Sequence, residues 1–436
     1  MRTARTRRGL GLNIEMASPE YLSAVLKALR FHGGSTHELE AIPENAWPAL
    51  LNATDRAHLT LALGVRCRES LPQSVRLRID RNLANNRARH DRLIATHRQI
   101  GHALSLYEID YVVMKGLSQW PWYIDDPRQR PQYDIDIYVP RESMSAAAKT
   151  IHMLGYGFVG DILDPGADHL PVMIRKTGWT WRGDYYDPEM PPSVELHFRF
   201  WNPQMMRFDA GDLAQFWRRR VVRQVGSLRF PTLDPADGLT YSALHLIRHL
   251  LGGDLRLRHV YEIAHFLEKS ASDDAFWSYW RETGLPGCRV VEGIAFRLAS
   301  EWFHCTLHPA AREAVEELPS PVRRWFSLFA FSSALGNDHP EKHELWLHFC
   351  LVNSAKDRRH IAIRRLFPTR GARVVRDAHV PSSKIDPLLR VKRIAFEASF
   401  LARRILHHFR GIAPVIRGAC LWFQADRKHS SGTAQP

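Results

Sequence analysis

The stretch Tyr133-Asp134-Ile135-Asp136-Ile137-Tyr138-Val139 alternates apolar and acidic residues with period 2. That alternation is the signature of a β-strand, and it puts both carboxylates on one side and both isoleucines on the other. Two bare carboxylates one strand pitch apart repel each other. A divalent cation held by hard oxygen ligands is the common compensation. Lys115 lies nineteen positions before Asp134 and sits near the end of the apolar run Tyr111-Val-Val-Met-Lys-Gly116. This run reads as a strand, a tight turn and the start of a helix, a geometry that offers backbone N–H groups and a positive dipole end to a phosphate. A phosphate site beside a metal site points to phosphoryl or nucleotidyl transfer.

Around this nucleus the chain divides into four regions. Residues 1–110 read as helical. One segment opens at Pro19-Glu20 with Leu22, Val25, Leu26 and Leu29 at helical spacing, and another runs through Leu59, Leu61, Leu63 and Val65. A long Arg-rich amphipathic pattern follows over 75–106, with Leu77, Ile79, Leu83, Leu93, Ile94, Ile100 and Leu104 as its expected inner face. Residues 111–232 are richer in β-branched and aromatic residues. Strands are expected at 111–114, 134–139, 158–160, 172–176, 177–182 and 194–200, with helices over 117–123 and 143–154. Gly226-Ser227 is expected to turn a hairpin between 221–225 and 228–230. This is an α+β pattern, a mixed sheet with flanking helices. Residues 233–355 return to helix, opened by Asp234-Pro235 as N-cap and N1 and ended once by Gly252-Gly253. Residues 356–436 form a basic tail, partly helical or disordered, in which 390–409 is one basic amphipathic stretch.

Composition bounds the function. An apolar fraction of 45% and a charged fraction of 24% are ordinary for a globular protein. The five cysteines are scattered and form no C-x-x-C pair, which argues against a disulfide framework or a zinc ribbon and fits a reducing cytoplasm. No long apolar stretch follows the basic N-terminal residues, so a cytoplasmic location is expected. The net charge is +14, and from Lys356 onward 18 Lys plus Arg stand against 5 Asp plus Glu, so the tail carries nearly all of the excess. The body is close to neutral, which argues against a template-independent polymerase on RNA, because RNA tracks need basic grooves near the active site. The tail can be a solvated region, or it can bind an anionic membrane surface or nucleic acid.

A two-metal transfer site needs a third carboxylate from a neighbouring strand. Glu195 in Ser193-Val-Glu-Leu-His-Phe198 is the best candidate, with Glu195 and His197 on one face of an alternating pattern. Elsewhere, His245 and His249 share a helical i, i+4 spacing, as zinc sites do. They lack the Glu beside the first His that a metalloprotease needs, and read as core or rim histidines.

The order Lys115-Gly116, Tyr123, Arg130, Asp134-Ile-Asp136 and Glu195-Leu-His197 resembles the uncharacterised bacterial nucleotidyltransferase family of the DNA polymerase beta-like superfamily. His245-Leu-Ile-Arg-His249 and Leu255-Arg-Leu-Arg258 are similar to that family's C-terminal region. The resemblance covers roughly residues 20–310 and excludes the tail. Lys-Gly stands in the turn where the wider superfamily has Gly-Ser or Gly-Gly, and Glu195 and Glu262 stand where Asp is usual.

The resemblance implies a nucleotidyltransferase-like fold and two Mg²⁺ ions. Asp134 and Asp136 would bind metal, and Glu195 would bind the second ion or act as base. Lys115, Gly116 and Arg130 would bind the nucleoside triphosphate, with His197 in support. The acceptor would be a small molecule, sugar, peptide or protein. The alternative is an inactive member that binds a nucleotide or partner and docks through its tail. A Glu195 that faces the aspartate pair favours the enzyme, and one that faces away favours the binder.

Overall fold

The computed structural model describes residues 19–159, 168–334, 341–367 and 387–432. Seven strands form one mixed sheet in the order β3-β4-β5-β2-β1-β7-β6. They are β1 Val112–Val113, β2 Asp134–Tyr138, β3 Tyr156–Phe158, β4 Met173–Arg175, β5 Ser193–His197, β6 Val221–Val225 and β7 Leu228–Thr232. β2 lies in the middle, antiparallel to β1 and parallel to β5.

The period-2 pattern of β2 divides the molecule. Ile135, Ile137 and Val139 are fully buried in a core with Val113, Val194 and Leu196. The Gln73–Leu106 and Met144–Met153 helices close this core through Leu93, Ile100, Leu104, Ala147 and Ile151. Full burial of each such aliphatic side chain contributes about 1.5–3 kcal/mol. Asp134, Asp136 and Tyr138 take the other face. There Tyr138 stacks on Phe200 at 4.1 Å and packs against a second core, which Val112 and Met114 also enter. That core joins the N-terminal helices, through Leu22 and Leu50, to the Pro235–Gly252, Leu257–Lys269 and Pro286–Phe303 helices. The acidic side of the strand therefore faces the C-terminal helical layer.

Local sequence accounts for these elements. Asp234 caps the Pro235–Gly252 helix by accepting from the Ala236 N–H at 2.9 Å, Pro235 fills N1, and Gly253 ends the helix at φ +74°. The hairpin forms across Gly226, at φ +58°.

Several expectations are corrected. Residues 117–123 are not a helix: only a 3₁₀ turn, Gly116–Gln119, forms, and Trp120 is extended at ψ 142° because Pro121 follows it. Residues 177–182 form no strand. Gly178 and Gly183 hold φ of +84° and +88° on either side and bend the chain out of extended geometry. The strand expected at 158–160 is Tyr156–Phe158, and residue 160 lies outside the described residues. On the Gln73–Leu106 helix Leu77 is 63% exposed, whereas Asn82, Asn86 and Arg89 are buried. Two of these polar residues satisfy backbone carbonyls: Asn86 donates to Arg128 O at 2.7 Å and Arg89 to Tyr185 O at 2.8 Å.

Among the described residues the tail carries three helices, Ala355–Leu366, Pro387–Arg410 and Ile412–Gly432. Among the described residues no helix is long and apolar enough to cross a membrane. All five cysteines are free.

Candidate active site

Parallel pairing of β2 with β5 sets Asp134 opposite Ser193, Asp136 opposite Glu195 and Tyr138 opposite His197. Partners in register project to the same face, so Glu195 and His197 join the side that carries the aspartates. Donor atoms of Asp136, Glu195 and His197 all lie within 4.8 Å of one another. His197 Nε2 is 3.1 Å from Asp136 Oδ1 and 3.5 Å from Glu195 Oε2. Carboxylates only accept, so Nε2 carries the proton. Lys115, at the end of β1, donates to Asp136 Oδ1 at 2.7 Å. Asp134, half-buried, lies two residues back on the same face, outside this closest trio.

The electrostatics follow from this packing. Burial opposes the Asp136 carboxylate, but Lys115 and His197 outweigh it and hold the group well below the usual carboxylate range. Burial likewise opposes the Lys115 ammonium, and Asp136 first, then Asp134 and Glu195, keep it charged far above the usual lysine range. Burial and then the Asp136 charge push the Asp134 carboxyl up. His197 is raised: burial works against the imidazolium, and its hydrogen bonds to Asp136 and Glu195 prevail. The face is thus crowded with negative charge, which the Lys115 ammonium and the His197 Nε2–H partly offset.

The Lys115-Gly116 turn is fixed by its neighbours. Gly116 sits at φ +72°, and a Cβ there would lie 2.0 Å from Gln132 Nε2, so no larger residue fits without moving Gln132. Gln132 in turn donates to Asp134 O at 2.8 Å. The Gly116 N–H points to Gln119 Oε1 at 3.2 Å, and the following helix is a single 3₁₀ turn. The expected cradle of N–H groups at a helix start is therefore corrected: the first of those donors is taken within the turn.

Arg130 is buried. Its Nε donates to Glu262 Oε1 at 2.8 Å and its Nη2 to Gln119 Oε1 at 2.6 Å, which ties the turn to the Leu257–Lys269 helix. Arg258 shares Glu262 at 3.4 Å and donates to Pro131 O. Tyr123 packs on Phe266 at 5.0 Å and accepts from Ser242. Gln119 and Gln132 were not singled out by sequence, because a lone amide carries no motif; Glu262 stood out only as a departure from the family pattern, and nothing in the sequence paired it with Arg130.

Residues 43–304 match the model of a protein family described as uncharacterised nucleotidyltransferase. This chain belongs to that family. Comparison with curated proteins and with solved structures gives no match. The matched span contains the whole sheet and the Pro235–Gly252 and Leu257–Lys269 helices, and stops before the basic tail. Membership supports nucleotidyl transfer as the general activity, with a nucleoside triphosphate as substrate. In this nucleotidyltransferase chain the acidic trio has the donors a divalent cation needs. Carboxylate oxygens on two adjacent strands converge, and the Lys115 ammonium and the His197 N–H sit against them.

Proposed function

We propose that this chain is an Mg²⁺-dependent nucleotidyltransferase that moves a nucleoside monophosphate from a nucleoside triphosphate to an acceptor hydroxyl. The observation that carries this is the register of Asp136 against Glu195, with Asp134 on the same face. Glu195 faces the side that carries the aspartates, which favours the enzyme over the inactive alternative.

Asp134, Asp136 and Glu195 would hold Mg²⁺, two ions when fully loaded, and the metal would supply charge stabilisation for the transferring phosphoryl group. The hydroxyl oxygen forms a bond to the α-phosphorus in line with the departing pyrophosphate, and the bond between the α-phosphorus and its bridging oxygen breaks. Glu195 binds the second ion or acts as the base that takes the hydroxyl proton. Lys115 keeps a fixed positive charge beside the carboxylates. Gly116 lets the turn approach the nucleotide closely. Arg130, engaged by Glu262 and Gln119, acts by holding that turn. His197 keeps Asp136 and Glu195 oriented.

Incubation of the protein and a cell extract with α-labelled and γ-labelled nucleoside triphosphates tests this. Label from the α position is expected in a product, and γ label in pyrophosphate. Transfer of the γ label, or transfer unchanged in Asp134→Ala/Asp136→Ala, contradicts it.

The tail is proposed to dock the protein on an anionic membrane surface. Val391, Ile394, Leu401, Ile405 and Phe409 are exposed on the Pro387–Arg410 helix, whose sequence also carries Arg390, Lys392, Arg393, Arg403, Arg404 and Arg410. An exposed apolar stripe on a helix of basic sequence suits an interface of lipid better than nucleic acid. Co-sedimentation with anionic vesicles, lost in Ile394→Asp/Ile405→Asp, is expected. Binding to RNA but not to vesicles contradicts it.

A further inference from the structure

We propose that His245, His249 and His259 form a second metal centre, for a zinc-class divalent transition ion, beside the acidic site. The three rings offer donor nitrogens that all lie within 4.8 Å of one another. Their centroids are 4.5, 4.7 and 5.3 Å apart. His245 Nε2 and His249 Nε2 are 3.2 Å apart. Two nitrogens bound to tetrahedral zinc at about 2.0–2.1 Å sit about 3.3 Å from each other, so this pair already has the spacing of two ligands.

Two rigid elements build the cluster. His245 and His249 stand one turn apart on the Pro235–Gly252 helix, and His259 comes from the next helix, Leu257–Lys269. Between them Gly253, at φ +74°, reverses the chain, and Asp254 N–H caps His249 O at 3.1 Å. That cap brings the Asp254 carboxylate to 3.1 Å from His249 Nδ1. The carboxylate accepts, so Nδ1 donates, and a neutral His249 then presents a bare lone pair at Nε2. Lys115, which can only donate, lies 3.4 Å from His245 Nε2 and selects the lone pair there as well. In the neutral tautomers that donate to Asp254 and accept from Lys115, two lone pairs face each other across 3.2 Å. A cation resolves this, and a third imidazole at the same point makes a metal ion a better fit than a shared proton.

The donor chemistry decides the ion. Three imidazoles suit zinc, cobalt, nickel or copper, whereas the carboxylates of β2 and β5 suit magnesium. Asp254 behind His249 repeats the carboxylate–histidine–metal arrangement that orients a ligand ring. Three protein ligands leave a fourth position on a tetrahedral ion, for water or a substrate oxygen. The centre does not depend on the Mg²⁺ reading of the acidic trio.

The experiment uses the full chain without a polyhistidine tag, treated with a chelator and titrated with Co²⁺ under visible absorption. One Co²⁺ per chain with a tetrahedral d–d spectrum is expected. His249→Gln and His259→Gln should each abolish that spectrum, while Asp134→Ala/Asp136→Ala should keep it. Asp254→Asn should keep the spectrum and weaken Co²⁺ binding by about 10-fold to 100-fold. Circular dichroism checks that each variant is folded, and a rise in the wild-type melting temperature with Zn²⁺ but not Mg²⁺ gives a second readout. No Co²⁺ uptake by the folded wild type overturns the proposal, as does uptake that survives His259→Gln or disappears with the aspartate variant.

Discussion

The acidic cluster and the histidine cluster lie on either side of one ammonium group, and they are built in opposite ways. Lys115 Nζ is 2.7 Å from Asp136 Oδ1 and 3.4 Å from His245 Nε2. On the acidic side, adjacent strands in register deliver hard oxygens whose mutual repulsion is offset by Lys115 and His197. On the other side, two helices deliver imidazole nitrogens that carry no net charge when neutral. A strand pair sets its donors by register, so one spacing rule places them all. A helix pair sets them by how the helices cross, which depends on the whole core between them. The two clusters should thus respond to different ions and to different substitutions.

The largest effect is expected at Glu262, which anchors the acidic side to the helix that also carries His259. Glu262→Ala leaves Arg130 buried without its carboxylate, and urea unfolding should show a loss of about 3–5 kcal/mol. Glu262→Gln keeps an acceptor for Arg130 Nε and should lose less. Next comes Asp136→Ala, expected to lower the rate of nucleotidyl transfer by about 10²–10³-fold while leaving Co²⁺ uptake intact. A parallel loss of both would mean that the clusters are one site.

Gly116→Ala follows. The positive φ carries a penalty of about 1–2 kcal/mol, and the new methyl group must push Gln132 off Asp134 O. Weaker nucleotide binding by calorimetry, with an unchanged cobalt spectrum, is the expected outcome. The smallest effect is expected at Leu77 of the Gln73–Leu106 helix, with Ile79 on the same helix as its contrast. Leu77→Ala should stay within about 0.5 kcal/mol, because the side chain is exposed. Ile79→Ala, one side chain of the buried face, should lose about 2–5 kcal/mol in the same unfolding assay.

What sequence could show follows the same division. β2, the Gly226 hairpin and the Asp234 cap were legible because each rests on a local rule: alternation, a turn residue, a capping side chain. Glu195 was legible for the same reason, since alternation in its own strand fixes its face. The third histidine was not. His245 and His249 announce a shared face, but His259 reaches them only through the turn at Gly253 and the crossing of two helices. Arg130 was visible as a residue of the resemblance, but Glu262 lies 132 positions away and no local pattern links them. Residues 117–123 carry apolar and aromatic side chains that suit a helix, and Pro121 overrides them by forcing Trp120 into extended backbone. The inner face of the Gln73–Leu106 helix was misplaced at Leu77 because its central buried positions are polar and answer to distant carbonyls.

Isothermal titration of the wild type and Asp134→Ala/Asp136→Ala with each of the four nucleoside triphosphates, with and without Mg²⁺, tests the central claim most directly. The account predicts binding that requires Mg²⁺ in the wild type and is lost in the double variant. Absence of binding by a folded wild type, or binding that neither Mg²⁺ nor the aspartates influence, would contradict it.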